Sequence, residues 1–501
     1  MLALSFPKFG HPAFAWIALT PVIVASARAH SLRGAFLTGL LAGVVYFAGT
    51  LYWLVETMTT FGGLHTGLAV VAAALLVAYL ALFPAVFSVI FARCHRAYGF
   101  AAFLLAPCIW VTTELGRQYI WDGFPWALLG YSQVTVLPIA QSASIVGVYG
   151  VSWILALVGA SAAAVVLERG RATWVLAATV TVLVVGASLW GDARVRSSVL
   201  TTQGTPVRVA VVQGNILQDD KNAAYTGNAE IADLIAQRYI DMTRQALAAG
   251  ATFILWPESS TPFYFERDLV RGGVIRRLAQ EANATLLIGS DQIEPVKATP
   301  AVEKPQDLYY NAAFLVQPDG QIGAVYRKMH LVPFGEYVPL KSLLFFVGPI
   351  VEAVSAFTPG KTSVLLPVDG HIVSTAICYE VIFPDLIRRF VQDGSELLTT
   401  ITNDAWYGTS SAAFQHWEQA SMRAIEEGRY LARAANTGIS GFVDPYGRVM
   451  EKTGLFHQAM VVGDLRFITS RTIYSRCGDL IAWLSLALVA AALLGARRAV
   501  N

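Results

Sequence analysis

A carboxylate, an ammonium and a thiol follow one another along this chain in three short contexts. Glu258 lies in Leu255-Trp256-Pro257-Glu258-Ser259, Lys328 in Tyr326-Arg327-Lys328-Met329-His330, and Cys378 in Ser374-Thr375-Ala376-Ile377-Cys378-Tyr379-Glu380. The chemistry they can do follows from charge. A thiol of pKa about 8.5 is mostly protonated at neutral pH, and the thiolate is the nucleophile. A nearby carboxylate can take that proton as the general base of a covalent mechanism. Attack on an ester carbonyl puts negative charge on its oxygen, which an ammonium and a backbone N–H following the nucleophile stabilise. Glu258, Cys378, Lys328 and the Tyr379 amide fit those roles.

The elements around them support this. Catalytic groups in α/β folds sit at strand ends, where a rigid strand aims a loop residue. Phe253 to Trp256 reads as a buried strand ending at Glu258, and Val373 to Cys378 as a strand ending in a polar turn. Lys328 follows the strand that leaves the Pro318-Asp319-Gly320 hairpin. Further strands are expected at Val207 to Gln213, Thr285 to Gly289, Ala312 to Gln317, Leu397 to Thr402 and Ile439 to Val443. Helices are expected at Ala229 to Ala248, Val270 to Ala284 and His416 to Ala435.

Of the 501 residues, 55% are hydrophobic and 14% charged. Soluble globular proteins carry about 25% charged residues, so the chain reads as a membrane protein. Its net charge of +2 argues against nucleic acid as a partner. Cys94, Cys108, Cys378 and Cys477 show no metal-ligand spacing, and no metal or cofactor is expected. A Cys378–Cys477 disulfide would silence the thiol, and all four are read as reduced. Candidate spans lie near residues 12–29, 34–55, 65–92, 99–118, 140–167, 172–191 and 478–496. The expected organisation is a helical bundle over 1–195, an α/β domain over 205–468 and a closing helix over 478–496.

Loop charge orients the chain. Arg28, His30 and Arg33, then Arg93, His95 and Arg96, then Arg169 and Arg171, and finally Arg497 and Arg498 mark alternate connections and the C-terminus as cytoplasmic. The α/β domain then lies outside, in the periplasm of a Gram-negative cell. This leaves residues 1–11 outside with no helix before them: either the N-terminus is translocated, or an earlier helix is missing or shortened. A cleaved signal peptide ending near Ala27-Arg28-Ala29 is the lesser alternative, because Arg28 and Arg33 suit a retained loop.

Glu258, Lys328 and Cys378 in these contexts resemble the Glu-Lys-Cys triad of the carbon–nitrogen hydrolase (nitrilase) superfamily, whose fold is an αββα sandwich. More specific strings are Val212-Gln213-Gly214-Asn215-Ile216, His330 to Pro339 with Gly335-Glu336-Tyr337 inside it, and Asn403-Asp404-Ala405-Trp406-Tyr407-Gly408. With Gly123-Phe124-Pro125-Trp126 and Gly130-Tyr131-Ser132-Gln133 in the bundle, nearly the whole chain resembles the apolipoprotein N-acyltransferase family.

The resemblance implies an enzyme of the bacterial inner membrane. Such an enzyme moves an acyl chain from the sn-1 position of a phospholipid, usually phosphatidylethanolamine, to the N-terminal amine of a diacylated apolipoprotein. It implies Glu258 as base, Lys328 as oxyanion partner and Cys378 as acyl carrier in ping-pong turnover. Glu336, Tyr379, Glu380 and Asn311 are implied as supporting residues. Trp406, Tyr407, Phe124, Trp126 and Tyr131 are expected as lipid or acyl-chain contacts, and the protein as a monomer. Asn222 departs from the family, some of whose members have tryptophan there.

Plainer readings exist for each residue. Cys378 alone would be a small core residue, Glu258 a helix cap, Lys328 a solvated charge, and Glu336 or Glu380 a structural partner. His330 reads as a structural hydrogen bonder, and Glu114 and Arg117 as an interfacial pair rather than a head-group site. The rival functions are a membrane-tethered amidase releasing ammonia, and a transporter or binding protein. The scarcity of ionisable residues in the spans weighs against a transporter.

Overall fold

The computed structural model describes residues 1–296, 306–333, 335–337 and 357–498. Phe334, Val338 and Pro339, from the string around Glu336, lie outside them. The chain divides into two compact units. One is Met1–Ser198 with Ser410–Gly428 and Arg471–Asn501; the other is Val199–Thr409 with Arg429–Ser470.

The first unit is helical. Among the described residues, four helices are long and apolar enough to cross a membrane: Leu32–Thr50, Thr66–Tyr98, Ala143–Leu167 and Arg171–Thr202. Leu480–Ala496 and Pro12–Arg28 are shorter apolar segments. The expected span over 12–29 is broken into a 3-10 turn, Pro12–Trp16, and a nine-residue helix, Thr20–Arg28. Nine residues rise about 14 Å, half of a hydrocarbon core. Helix Ala101–Tyr119 covers the expected span over 99–118. It buries Glu114 and Arg117 as a pair, with Glu114 accepting from the Leu129 amide at 2.7 Å.

Small residues let the helices approach. A Cβ on Gly43 would stand 2.7 Å from the Ala81 Cα, which is why glycine suits the seam between Leu32–Thr50 and Thr66–Tyr98. Gly147, at φ +67°, interrupts Ala143–Leu167. The Val148 N–H after it donates to Glu426 at 2.7 Å, so the break leaves that donor satisfied.

Glu426 belongs to helix Ser411–Glu427, where the expected helix from His416 to Ala435 is corrected. Gly428, at φ +62°, caps the helix in the left-handed region, and Leu431–Ala435 is a strand. The helix clusters with the first unit through Gln415, which accepts from Trp126 at 2.7 Å, and Arg423, which donates to the Tyr131 hydroxyl at 2.8 Å.

Among its described residues the second unit holds two six-stranded sheets. In chain order the strands are β1 (Thr205–Gln213), β2 (Phe253–Leu255), β3 (Thr285–Val296), β4 (Gln306–Val316), β5 (Ile322–Arg327), β6 (Leu366–Val368), β7 (His371–Ile377), β8 (Leu397–Thr402), β9 (Leu431–Ala435), β10 (Gly441–Val443), β11 (Val449–Lys452) and β12 (Ala459–Phe467). One sheet runs β12-β1-β2-β3-β4-β5 and the other β11-β10-β9-β8-β7-β6. Each has three parallel central strands, β1-β2-β3 and β7-β8-β9, flanked by antiparallel ones.

Parallel strands covered on both faces read as unbroken apolar runs, and all of β2, β8 and β9 is buried. Helices Ala229–Ala248 and Arg271–Ala282 cover the first sheet, with Ile235, Tyr239 and Ile275 against Val212, Ile254, Leu286 and Phe314. The two sheets face each other through β1 with β9 and β4 with β7. This is the nitrilase-type sandwich of helix and sheet layers. The three C-terminal ends that carry Glu258, Lys328 and Cys378 open at one place between the sheets.

Candidate active site

Cys378 is the first residue after β7 and opens a 3-10 turn, Cys378–Ile382. Its φ of +53° is left-handed, a conformation that a side chain with Cβ adopts at a cost. The sharp turn presents Sγ at the strand end. None of the four cysteines is disulfide-bonded.

Lys328 is 1% exposed and lies between two carboxylates. Its Nζ is 3.2 Å from Glu258 Oε1 and 2.8 Å from Glu336 Oε1. Asn311 on β4 ties the same two oxygens together, donating from Nδ2 at 2.7 Å to Glu258 and 2.8 Å to Glu336. The other Glu258 oxygen accepts the Asn403 amide at 2.7 Å, and the other Glu336 oxygen the Val332 amide at 2.8 Å. Every carboxylate oxygen here has a donor, which holds both side chains in one rotamer.

Glu380, two residues beyond the cysteine, is fully buried. It accepts from the Tyr326 hydroxyl at 2.8 Å and from the amides of Met329 at 2.6 Å, His330 at 3.2 Å and Ile377 at 2.7 Å. It thereby joins the end of β7 to the loop that carries the lysine.

Gly289 on β3 sets the approach of Glu258. A Cβ there would stand 2.6 Å from the Glu258 Cα and closer still to the Pro257 carbonyl oxygen. Its own carbonyl accepts the Ser260 amide and hydroxyl, each at 2.9 Å.

Electrostatics follow from burial and these contacts. Burial alone would neutralise Glu258, but the Lys328 ammonium and the Asn311 and Asn403 donors outweigh it and hold the carboxyl below its usual range. Burial likewise opposes charge on Lys328, yet Glu258 and Glu336 keep the ammonium well above its ordinary pKa. Burial pushes the Cys378 thiol far up, with Glu258 adding to the rise and Lys328 opposing it. Burial lifts Glu380 to about 7, against the pull of the Ile377 and Met329 amides. The resting site is an ion pair beside a protonated thiol.

The structure thus brings together Glu258, Lys328, Cys378, Glu336, Asn311 and Glu380. Tyr379 is buried, its ring edge-on to Phe383. His330 stacks on Phe383 at 4.3 Å between ring centres. Trp406 is 38% exposed, and Tyr407 shares its 3-10 turn, Asp404–Tyr407, after β8. Phe124, Trp126 and Tyr131 belong to the helical unit, where Trp126 and Tyr131 are buried. Sequence reasoning missed Asn403, Val332 and Tyr326. Asn403 and Tyr326 stand in motif strings or strand ends already noted, and that adjacency was the available signal.

The model for the apolipoprotein N-acyltransferase N-terminal domain matches residues 1–161, and that for carbon–nitrogen hydrolase matches residues 208–473. The chain is 37% identical to the apolipoprotein N-acyltransferase of Geobacter metallireducens over 511 residues, 100% of this chain and 94% of that protein. It is 34% identical to the Methylococcus capsulatus protein of the same name over 484 residues, 96% and 91% of the two chains. A solved amidase from a Nesterenkonia species matches at 22% identity and a TM-score of 0.37, covering 54% of this chain and 95% of its own. On the two domain matches and the near-complete alignment with these relatives, the chain is a membrane acyltransferase that belongs to the apolipoprotein N-acyltransferase family.

Proposed function

We propose that this enzyme takes an acyl chain from the sn-1 ester of a phospholipid, carries it as a thioester on Cys378, and delivers it to the N-terminal amine of a diacylated apolipoprotein. The single observation that carries the reading is Lys328, buried and fixed between Glu258 and Glu336 with its charge acting on the Cys378 thiol. In the first half-reaction Glu258 takes the thiol proton as Sγ attacks the ester carbonyl. Lys328 and the Tyr379 amide receive the oxyanion. The C–O bond breaks, and Glu258 returns the proton to the departing lysophospholipid oxygen. In the second half-reaction an amine attacks the thioester, and Glu258 passes an amine proton back to sulfur.

The thiol is a poor acid and Glu258 a weak base at rest, so a free thiolate is not stored. Proton transfer then accompanies attack, which suits an enzyme that holds its acyl chain for an amine rather than for water. Loop charge supports a cytoplasmic-membrane location with this unit on the periplasmic side, where lipidated N-termini and phospholipid meet. Tyr379 and Glu380 serve as positioning groups. Trp406 and Tyr407 serve as acyl-chain contacts, and Phe124, Trp126 and Tyr131 of the helical unit as lipid contacts. The enzyme acts as a monomer without a metal or cofactor.

Purified enzyme incubated with phospholipid and a diacylated lipopeptide should yield an amide-linked third chain by mass spectrometry. Unchanged transfer by Cys378→Ala would contradict the reading.

A further inference from the structure

Beyond the ion-paired centre lies a second group of polar atoms. Asp291, on β3, stands directly opposite Asn311 in the β3–β4 register, so their side chains share one sheet face with Cβ atoms about 5 Å apart. Asn311 is the residue that donates to Glu258 and Glu336. The Tyr225 hydroxyl hydrogen-bonds the Asp291 carboxyl, yet among the described residues the Asp291 Oδ1, Asn311 Oδ1 and Lys221 Nζ atoms are buried without a hydrogen-bond partner. Lys221, on helix Gln218–Tyr225, is 1% exposed, and Glu258 and Asp291 are the carboxylates it faces. Asp291 itself is partly exposed. Buried polar groups are almost always satisfied, so two orphaned acceptors and an orphaned donor beside one catalytic glutamate mark a place for a ligand. Carboxyl groups outnumber amines there: Glu258, Glu336 and Asp291 against Lys328 and Lys221. The surplus favours a cation.

The acceptor brings one. An α-amino group of pKa about 8 is mostly ammonium at neutral pH, and an ammonium has no lone pair with which to attack a thioester. One proton must leave before aminolysis. Glu258 is committed to Lys328, Asn311 and Asn403, and is needed to return a proton to sulfur. Glu336 is occupied by Lys328, Asn311 and Val332.

We propose that Asp291 receives the acceptor's N-terminal ammonium, with Asn311 Oδ1 as a second acceptor, and takes its surplus proton. This rests on the thioester reading above. The ammonium proton passes to Asp291 and on to solvent. The freed amine attacks the carbonyl on Cys378, the C–N bond forms and the C–S bond breaks. The second amine proton reaches sulfur through Glu258. Burial lifts the Asp291 carboxyl to about 7, close to the amine it would deprotonate. The groups facing Asp291 are Tyr225 and Lys221 from the helix, Tyr264 from the loop after β2, and Glu258 and Glu336 from the site.

The test separates the half-reactions. Full-length enzyme and its Asp291→Asn and Asp291→Glu variants are loaded with phospholipid, and the adduct is followed by intact mass. Each is then chased with a diacylated lipopeptide from pH 6 to 9, or with hydroxylamine, an amine already neutral at pH 7. Asp291→Asn should load normally and react normally with hydroxylamine. It should transfer to lipopeptide about 100-fold more slowly at pH 7, recovering as pH rises past the amine's own pKa. Asp291→Glu should keep most of the activity. Parental lipopeptide kinetics in Asp291→Asn, an equal loss with hydroxylamine, or a failure of that variant alone to load would each overturn the proposal. A parent enzyme that forms no adduct would instead overturn the thioester reading, and this proposal with it.

Discussion

Glu380 Oε1 accepts the backbone N–H of Met329 at 2.6 Å, so a residue just past the cysteine holds the residue just past the lysine. Two strand ends from different sheets are joined by one carboxylate, whose other oxygen accepts the Ile377 amide. Glu380→Gln keeps the shape but turns one oxygen into a donor, leaving a buried amide unsatisfied. Loss of such an acceptor costs about 1–3 kcal/mol, and activity should fall at least about tenfold through misplacement of Lys328.

The same residue gives a pH signature. Its carboxyl is raised from 4.5 to about 7 in the fold. Between those values the folded state keeps a proton that the unfolded chain has lost, so stability falls as pH rises across that window. Melting temperature in detergent should therefore decline from pH 5 to 7.5, and Glu380→Gln should flatten that decline. An identical slope in the variant would assign the effect to another group.

Lys328→Met should be more damaging than loss of a charge suggests. It removes the proposed oxyanion partner, a role worth about 100- to 1,000-fold, and strands two buried carboxylates. Breaking one side of a buried pair costs about 3–5 kcal/mol. Because Lys328 is what depresses Glu258, the acid limb of the acylation pH profile should move to higher pH. Stopped-time loading assays across pH read this directly.

Gly289→Ala should separate positioning from folding. The added methyl would meet Pro257 and the Glu258 Cα. We expect the variant to fold, to lose about 10- to 100-fold in acylation rate through displacement of Glu258, and to keep the parental pH profile. An unchanged rate would show that the Trp256-Pro257-Glu258 segment moves freely.

Much of this was legible in the chain. Glu258 and Cys378 stand out because each follows an apolar strand, and strands buried on both faces leave a plain apolar run; Lys328 stands out because it follows the strand that leaves the Pro318-Asp319-Gly320 hairpin. Helix Ala229–Ala248 was read to the residue because its stripe is regular. Helix Ser411–Glu427 and strand β9 were fused into one helix because Gly428 was the sole breaker between two continuously buried segments. Strand β12 went unread, since its mixed burial gives no clean alternation. Lys221 and Asp291 carried no local signal at all. Their burial comes from elements far apart in sequence, and only the β3–β4 register sets Asp291 beside Asn311.

Trapping the adduct tests whether Cys378 carries the acyl chain. The enzyme is mixed with a phospholipid bearing different sn-1 and sn-2 chains, without acceptor, and analysed by intact mass and peptide mapping. A mass gain equal to the sn-1 acyl group is expected on the peptide containing Cys378, removed by hydroxylamine and absent in Cys378→Ala. Acyl transfer to lipopeptide by Cys378→Ala, or an adduct on another residue, would contradict it.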